Sequence, residues 1–216
     1  MYLKRSVSDI IDEIEFYYTE YHLSHIAFYD DALLFDSSSH IETLMDLLIL
    51  RKIDINFYTP NGLHSRFITQ SLAIKMKKTG FRELRLSLET SNPLLQINTG
   101  GKISNIEFIK SINYLKEAGF EPNDIGVYIM VGLPEQKYED IIQTIDFVQK
   151  ENIKIKLINF SPIPGTKEWT KISPDLRKIL DIEPLWQNDI AYLMLARYID
   201  WDKNQELKNI VNNKPN

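Results

Sequence analysis

Hydrophobic and polar positions along the chain switch repeatedly between the three-to-four spacing of helices and the short apolar runs of strands. The helical segments are Ser6–His22, Ser39–Arg51, Arg66–Thr79, Ser104–Ala118, Lys137–Glu151, Pro174–Leu180 and Asp189–Trp201. The predicted strands are His25–Tyr29, Ile53–Tyr58, Glu83–Leu88, Ile125–Val131 and Lys154–Phe160. Successive strands start roughly 30 residues apart, with one longer step, which is the length of a βα unit. The polar segment Lys203–Asn216 is expected to fray.

Crossover helices of this length predict parallel pairing, and therefore an α/β fold. A barrel is favoured over an open sheet by the alternation in Leu84–Glu89, where Arg85, Ser87 and Glu89 share one face. A strand covered by helices on both faces would be apolar throughout. We predict a partial (βα) TIM-like barrel of five parallel strands, fewer than the eight of a closed barrel, followed by C-terminal helices.

Composition excludes several classes of protein. With 30 acidic against 25 basic residues and a net charge of −5, the chain does not predict a nucleic-acid partner. Acidic residues between Asp9 and Glu15 occupy the place where a signal peptide needs an apolar segment. The longest uncharged apolar stretch, Ile125–Pro134, is about half of the ~20 residues that span a membrane. We therefore expect a cytoplasmic protein without a membrane partner.

Polar or backbone-shaping residues follow every predicted strand, at the end where parallel α/β folds bind ligands. In chain order these exits are Asp30–Asp31, Thr59–His64, Glu89–Thr90, Gly132–Gln136 and Ser161–Thr166. Most of them also fit ordinary turns and connectors, where Asp, Asn, Gly and Pro are common. Glu89 is the strongest candidate, because a carboxylate that ends an alternating strand is costly to bury without a partner. His64 is a weaker candidate in an exit loop.

The order of these segments resembles the radical S-adenosylmethionine (SAM) enzymes, and more narrowly the subset associated with cobalamin-binding domains. The similar segments are Arg5–Ile14, Ile26–Asp31, Leu86–Thr90, Leu115–Phe120 and Val127–Glu135. The family fold is a partial barrel of six strands, so the resemblance implies that this chain holds strands two to six. It also implies a barrel over residues 1–166 and a helical extension with a polar tail over residues 167–216.

The resemblance implies SAM-binding roles for two strand exits in the first half of the chain. Asp30 and Asp31 stand in place of the Gly-Gly of the family's Gly-Gly-Glu motif, at the exit that binds the methionyl ammonium. Ser87 and Glu89 stand at the exit that contacts the ribose or the carboxylate.

Two later exits correspond to the adenine side of the family's site. The G-x-I-x-G-x-x-E pattern of the family falls on Tyr128, Met130, Gly132 and Glu135. The exit of the last strand, which lends backbone to adenine, falls on Pro162 to Gly165. The resemblance therefore implies a cofactor site built from several strand ends, while the catalytic residues and the substrate stay unassigned.

The chain departs from the family at its cluster motif, C-x-x-x-C-x-x-C, because the sequence contains no cysteine. In the family these thiolates hold the 4Fe–4S cluster that cleaves SAM to a 5′-deoxyadenosyl radical, chemistry that the cofactors supply. We expect the SAM-binding part of a truncated radical SAM enzyme, inactive alone and without metal ligands of its own. The 4Fe–4S cluster would belong to the full-length enzyme, and cobalamin to a separate domain.

Two other hypotheses stay open on the residues alone. One is a cluster-free barrel enzyme of the aldolase or hydrolase type, using Glu89, Arg85 and His64 as acid–base or anion-binding groups. The other is a non-catalytic remnant that serves as a binding module. If the family's first strand is absent, the strand His25–Tyr29 becomes an open edge without charge or proline, and such an edge templates pairing with another chain unless Met1 to Leu3 cover it. We therefore expect self-association through this strand.

Overall fold

The computed structural model describes residues 4–187 and 189–212. Its strands are β1 (His25–Ala27), β2 (Asn56–Tyr58), β3 (Leu63–His64), β4 (Leu84–Glu89), β5 (Ile125–Val131) and β6 (Lys154–Asn159). Its helices are α1 (Val7–Tyr21), α2 (Ile41–Leu50), α3 (Gln70–Lys78), α4 (Pro93–Asn98), α5 (Asn105–Glu117), α6 (Tyr138–Gln149), α7 (Lys167–Thr170), α8 (Pro174–Ile182), α9 (Asp189–Leu195) and α10 (Trp201–Asn212). This succession confirms the predicted α/β class.

Pairing between strands follows the parallel pattern expected for βα units. β1 pairs with β2 in parallel, placing Ile26 beside Phe57, and β3 pairs with β4 in parallel. The four-stranded sheet has the order β3-β4-β5-β6. Phe57 of β2 also forms a parallel bridge with Phe81, just before β4. The self-association predicted for His25–Tyr29 stays a prediction.

The structure corrects three details of the predicted elements. The prediction placed His64 in a loop, whereas it lies in the short strand β3. The prediction missed α4, a six-residue helix between β4 and α5. The predicted helix Asp189–Trp201 ends at Leu195, followed closely by Arg197 in the left-handed region at φ 54°. These short features carry too few residues to produce a hydrophobic period.

The predicted fraying of Lys203–Asn216 is wrong for the part that the structure describes. Residues up to Asn212 continue α10, in which Leu207 is fully buried. Asn204, one turn earlier, is buried as well, so the inward face of this helix is partly polar. Its sequence therefore lacks the clear apolar stripe that predicts a packed helix. Residues 213–216 of the predicted tail lie outside the described residues.

The chain forms two compact units whose boundary passes through β4 and β5. Unit 1 comprises Met1–Ser87 and Asn105–Val127, and unit 2 comprises Leu88–Ser104 and Tyr128–Asn216. The predicted division at residue 166 stays a prediction. Across residues 4–187 and 189–212, no helix is both long and apolar enough to cross a bilayer.

Unit 1 packs around aromatic rings that lie in β2, just after β1 and just before β4. The ring centroids of Phe28 and Phe57 lie 5.5 Å apart, as do those of Phe57 and Phe81. Gly80 precedes Phe81 with a φ of +91°, and a Cβ there would lie 2.3 Å from the carbonyl oxygen of Ile55. Glycine is therefore required where α3 returns to the sheet.

Unit 2 has its own apolar core beneath the ends of β5 and β6. The inward face of α6 buries Ile141, Ile145 and Val148 at the spacing expected of a helix that covers a sheet. Tyr192 and Leu193 of α9 are each 1% exposed. The C-terminal helices are therefore part of this unit's core.

The alternation predicted for β4 is present. Leu84, Leu86 and Leu88 are buried, whereas the residues between them are partly exposed. Because side chains alternate along a strand, Arg85 and Glu89 project from the same face of β4. The strand therefore ends with a carboxylate on its polar face.

Candidate functional site

Glu89 ends β4 in an unusual backbone conformation. Its φ is +67°, a value that a residue with a side chain rarely adopts. Its carboxylate is 15% exposed and accepts a hydrogen bond from Nζ of Lys102 at 2.8 Å. Left-handed backbone at a non-glycine residue is costly and concentrates at functional sites. The expected partner of Glu89 is thus a lysine that the sequence analysis did not select.

The segment between β4 and α5 brings Lys102 back to the strand end. Asn92 caps α4 by accepting a hydrogen bond from the amide of Leu94 at 2.9 Å. The side-chain amide of Gln96 donates to the carbonyl of Thr90 at 2.9 Å and ties the helix to the strand exit. Gly100 and Gly101, both with positive φ, follow the end of α4, and Lys102 comes directly after them. Gly100 and Gly101 mark a turn in the sequence, but no local pattern indicates that the lysine after them lies beside Glu89.

Glu89 and Lys102 line a cleft of about 200 Å³ at the strand ends of unit 2. The remaining lining residues come from the α4–α5 connection, from β5 and its exit, from the exit of β6 and from α7: Thr99, Met130, Leu133, Phe160, Ser161, Ile163, Thr166 and Glu168. We call this site the Glu89 cleft. It combines the Glu89–Lys102 ion pair and a second carboxylate, Glu168, with apolar and hydroxyl-bearing side chains, and a mixture of apolar surface with a few polar groups is expected of a small-molecule site.

Gln136 fixes the turn that follows β5. Its Oε1 accepts hydrogen bonds from the amides of Gly132 at 2.8 Å and Leu133 at 3.2 Å. Its Nε2 donates to the carbonyl of Met130 at 2.9 Å. The side chain is buried, and two of the residues that it holds, Met130 and Leu133, line the Glu89 cleft. A buried amide with both ends bonded to one turn rigidifies that turn. Gln136 is not among the residues predicted to form the site, although it is the polar residue that closes this exit.

Gly132 lies at the tip of the same turn with a φ of +90°. A Cβ at this position would lie 2.0 Å from Cδ2 of Leu193 in α9. The position therefore excludes side chains for two reasons, backbone conformation and space. The structure places Gly132 next to the cleft wall formed by Leu133.

Glu135 has a left-handed backbone with a φ of +69°. Its Oε2 accepts a hydrogen bond from Nδ2 of Asn98 at 3.3 Å and lies 3.5 Å from Nζ of Lys171. The side chain is 59% exposed, so these contacts hold it on the surface of unit 2. Its proposed place near adenine stays a prediction.

The other predicted residues of unit 2 lie on the exits of β5 and β6. Tyr128 points to the same side of β5 as Met130, and Nζ of Lys156 lies 5.8 Å from its ring centroid. Pro162 is buried, and Gly165 is exposed in the left-handed region at φ 83°. Their sequence neighbours Ser161, Ile163 and Thr166 line the Glu89 cleft.

The predicted residues of unit 1 form separate local arrangements. Oδ1 of Asp30 accepts a hydrogen bond from the amide of Ala32 at 2.7 Å, which is an Asx turn. Oδ1 of Asp31 accepts from Nδ2 of Asn61 at 2.8 Å, so the exits of β1 and β2 converge. Ser87 lies beside His64 in the register of β3 and β4.

Arg85 occupies the polar face of β4 in unit 1. Its guanidinium forms an ion pair with Glu83 and packs against Gly126, where an added Cβ would lie 2.6 Å from Nη1. Within the described ranges, Nη1 is buried without a hydrogen-bond partner. Arg85 and Glu89 therefore have different ionic partners, Glu83 and Lys102.

Metal-ligating side chains do not cluster in the described part of the chain. No group of three or more His, Asp or Glu side chains is placed there to hold an ion. The sequence also contains no cysteine. These residues do not fit a 4Fe–4S cluster, which requires thiolate ligands.

Residues 2–148 match the Radical SAM superfamily. The chain therefore belongs to this superfamily, as its strand-exit motifs predicted. It is 25% identical over 211 residues to an uncharacterized methyltransferase of Pyrococcus horikoshii, covering 91% of this chain and 44% of that protein.

Solved structures show the same fold. Coproporphyrinogen III oxidase (HemN) from Escherichia coli, a radical SAM enzyme, superposes with a TM-score of 0.59 at 19% identity, covering 88% of this chain and 46% of that one. The radical SAM methyltransferase TsrM from Kitasatospora setae, solved with cobalamin and a 4Fe–4S cluster, gives 0.60 at 14% identity, covering 71% and 31%. The predicted fold, similar to radical SAM TIM-like barrels, is confirmed. The chain spans less than half the length of these relatives.

Proposed function

We propose that the Glu89 cleft binds S-adenosylmethionine and that the chain is the SAM-binding part of a radical SAM enzyme. The observation that carries this proposal is the Glu89–Lys102 pair at the end of β4, 2.8 Å between its charged atoms. It lies in the cleft whose other walls are the exits of β5 and β6. These are strand ends at which parallel α/β folds bind their ligands.

The two charged groups suit the polar parts of the ligand. The carboxylate of Glu89 accepts hydrogen bonds, as the ribose hydroxyls and the methionyl ammonium require. The ammonium of Lys102 is a donor with no acceptor capacity, which suits the methionyl carboxylate. Charge-assisted bonds of this kind are stronger than neutral ones. The pair therefore covers both charges of the amino-acid end of SAM.

The remaining lining suits an adenine ring. Met130, Leu133 and Ile163 provide apolar surface, and the neighbouring hydroxyls of Ser161 and Thr166 provide donors and acceptors. Gly132, Pro162 and Gly165 shape the backbone of the same exits. The roles implied for Asp30, Asp31, Ser87, Tyr128 and Glu135 stay predictions.

The chemistry that cleaves SAM would come from a reduced 4Fe–4S cluster. Because these 216 residues include no cysteine, the thiolates for that cluster would come from polypeptide outside them. Under the proposal this chain binds and orients the nucleoside, because in cofactor enzymes the protein positions the group that reacts.

The whole protein's reaction is a further part of the proposal. The Pyrococcus relative is named a methyltransferase, and TsrM is a methyltransferase solved with cobalamin. Methyl transfer, with cobalamin on a separate domain, is therefore the reaction class to test first in the full-length protein.

Isothermal titration with S-adenosylhomocysteine tests the proposal, because this product analogue binds without being cleaved. We expect a dissociation constant in the micromolar range, about −8 kcal/mol. Glu89→Gln removes the charge while keeping the shape, and it should weaken binding about tenfold, the loss expected for one charge-assisted hydrogen bond. The matched control is Glu20→Gln, an exposed glutamate in α1 of unit 1. Absence of binding at millimolar ligand, or equal affinity in Glu89→Gln, would contradict the proposal.

A further inference from the structure

Helix α9 lies directly behind two walls of the Glu89 cleft. Leu193 contacts the turn after β5 so closely that a Cβ on Gly132 would lie 2.0 Å from its Cδ2. The ring of Tyr192 meets the ring of Phe160 edge-on, with centroids 5.6 Å apart. Phe160 itself lines the cleft. Two consecutive residues of one helix therefore support the exits of two different strands.

The turn after β5 is held from both sides. On one side, Oε1 of Gln136 accepts the amides of Gly132 and Leu133. On the other side stands the side chain of Leu193, which is 1% exposed and therefore has little room to move. Close-packed interiors transmit such contacts because neighbouring atoms cannot give way independently. The position of Leu133 in the cleft wall thus depends on Leu193.

The second contact acts at the exit of β6. The amide of Phe160 donates to the carbonyl of Val131 at 2.8 Å, which joins the exit of β6 to the end of β5. Tyr192 is 1% exposed and fills the space behind Phe160. The cleft walls at Leu133 and Phe160 are therefore linked to each other and to α9.

We propose that Tyr192 and Leu193 are positioning residues for the nucleoside site, so that the C-terminal helix α9 sets the ligand affinity of the cleft. This inference rests on the proposed function. Helix α9 lies outside residues 2–148, the segment that matches the family. The chain's C-terminal part would therefore control a site whose walls from β4, the α4–α5 connection and β5 lie in the matched segment.

Leu193→Ala tests the inference with two independent measurements. Removing the side chain frees the turn, so the amides of Gly132 and Leu133 should exchange with deuterium about tenfold faster. Affinity for S-adenosylhomocysteine, measured by titration well below the unfolding temperature, should fall about tenfold. The matched control is Leu207→Ala, which truncates a fully buried leucine of α10 in the same unit. It should lower stability comparably while leaving both readouts near their wild-type values.

A double variant separates positioning from general loss of packing. In Gly132→Ala the new methyl group meets the side chain of Leu193, and Leu193→Ala removes that side chain. The double variant should therefore lose less ligand affinity than the sum of the losses in the two single variants. Unchanged amide exchange in Leu193→Ala would overturn the inference whether or not the ligand binds. Faster exchange with unchanged affinity would overturn it as well. A wild-type chain that binds no ligand would refute the proposed function and, with it, the role of α9 in affinity.

Discussion

Nζ of Lys102 lies 2.8 Å from Oε1 of Glu89, although the two residues are 13 positions apart. The intervening chain forms α4, which is capped by Asn92 and ends at Asn98, shortly before Gly100 and Gly101. Glu89 is largely buried and Lys102 is half-exposed. The lysine thus has room to exchange a protein carboxylate for a ligand carboxylate without a large change in the backbone.

We expect Lys102→Ala to weaken S-adenosylhomocysteine binding about tenfold, through loss of one charge-assisted contact to the amino-acid end. Binding of 5′-methylthioadenosine, which lacks that end, should change little. Because Lys102→Ala leaves the largely buried carboxylate of Glu89 without its cation, the variant should also lower the free energy of unfolding by about 1–3 kcal/mol. Titration of both ligands checks the prediction.

Lys208→Ala is the matched control, since Lys208 is exposed on α10 of the same unit. It should bind both ligands as the wild type does. If Lys102→Ala weakened the two ligands equally, the lysine would act on the nucleoside or on the shape of the cleft, and its assignment to the carboxylate would be wrong.

Gly80→Ala should be among the most destabilising substitutions of unit 1. The alanine would meet the carbonyl oxygen of Ile55 at 2.3 Å, in addition to its unfavourable φ. Gly165→Ala has a similarly positive φ, but a Cβ there meets nothing within 4 Å. We expect a loss of about 1 kcal/mol for Gly165→Ala and about 3 kcal/mol or more for Gly80→Ala.

Urea denaturation of both variants measures this difference directly. The comparison separates backbone conformation from steric overlap. Both glycines have a positive φ, but of the two only Gly80 has no space for a Cβ. Equal losses in the two variants would show that the chain relaxes around Ile55.

The 216-residue chain, reconstituted with iron and sulfide, should show no 4Fe–4S absorption and no reductive cleavage of SAM. The physical reason is that the sequence provides no thiolate ligand. A cysteine-ligated ferredoxin treated in parallel shows that the reagents are active. Formation of 5′-deoxyadenosine above background would mean that other side chains bind the cluster.

Regular periodicity predicted the framework well, and irregular connections limited the prediction of the site. The alternation of β4 and the bounds of β5 follow directly from side-chain spacing. Lys102 could not be placed next to Glu89 from the sequence, because its position depends on the short helix α4. Gln136 acts through backbone groups of its own turn, a contact that residue identity alone does not reveal.

Stability at high pH should depend on Tyr138. Burial, together with the hydrogen bond that its hydroxyl donates to Glu206, raises the pKa of Tyr138 to about 12. In the unfolded chain this phenol titrates near its ordinary value of about 10. Between these values the folded state binds more protons than the unfolded state, so the free energy of unfolding falls as pH rises. The contribution is complete below about pH 10 and is lost as pH approaches 12.

Tyr138→Phe removes the titrating group and the bond to Glu206, which joins the start of α6 to α10. We expect a loss of about 1 kcal/mol at neutral pH, the net worth of one such bond. The variant should also lose the part of the alkaline decline that this phenol causes, so its stability should approach that of the wild type as pH rises. Tyr114→Phe, in α5 of unit 1, is the matched control and should keep the wild-type slope. Parallel urea midpoints for wild type and Tyr138→Phe across pH 9 to about 11 would show that Tyr138 has an ordinary pKa in the folded state.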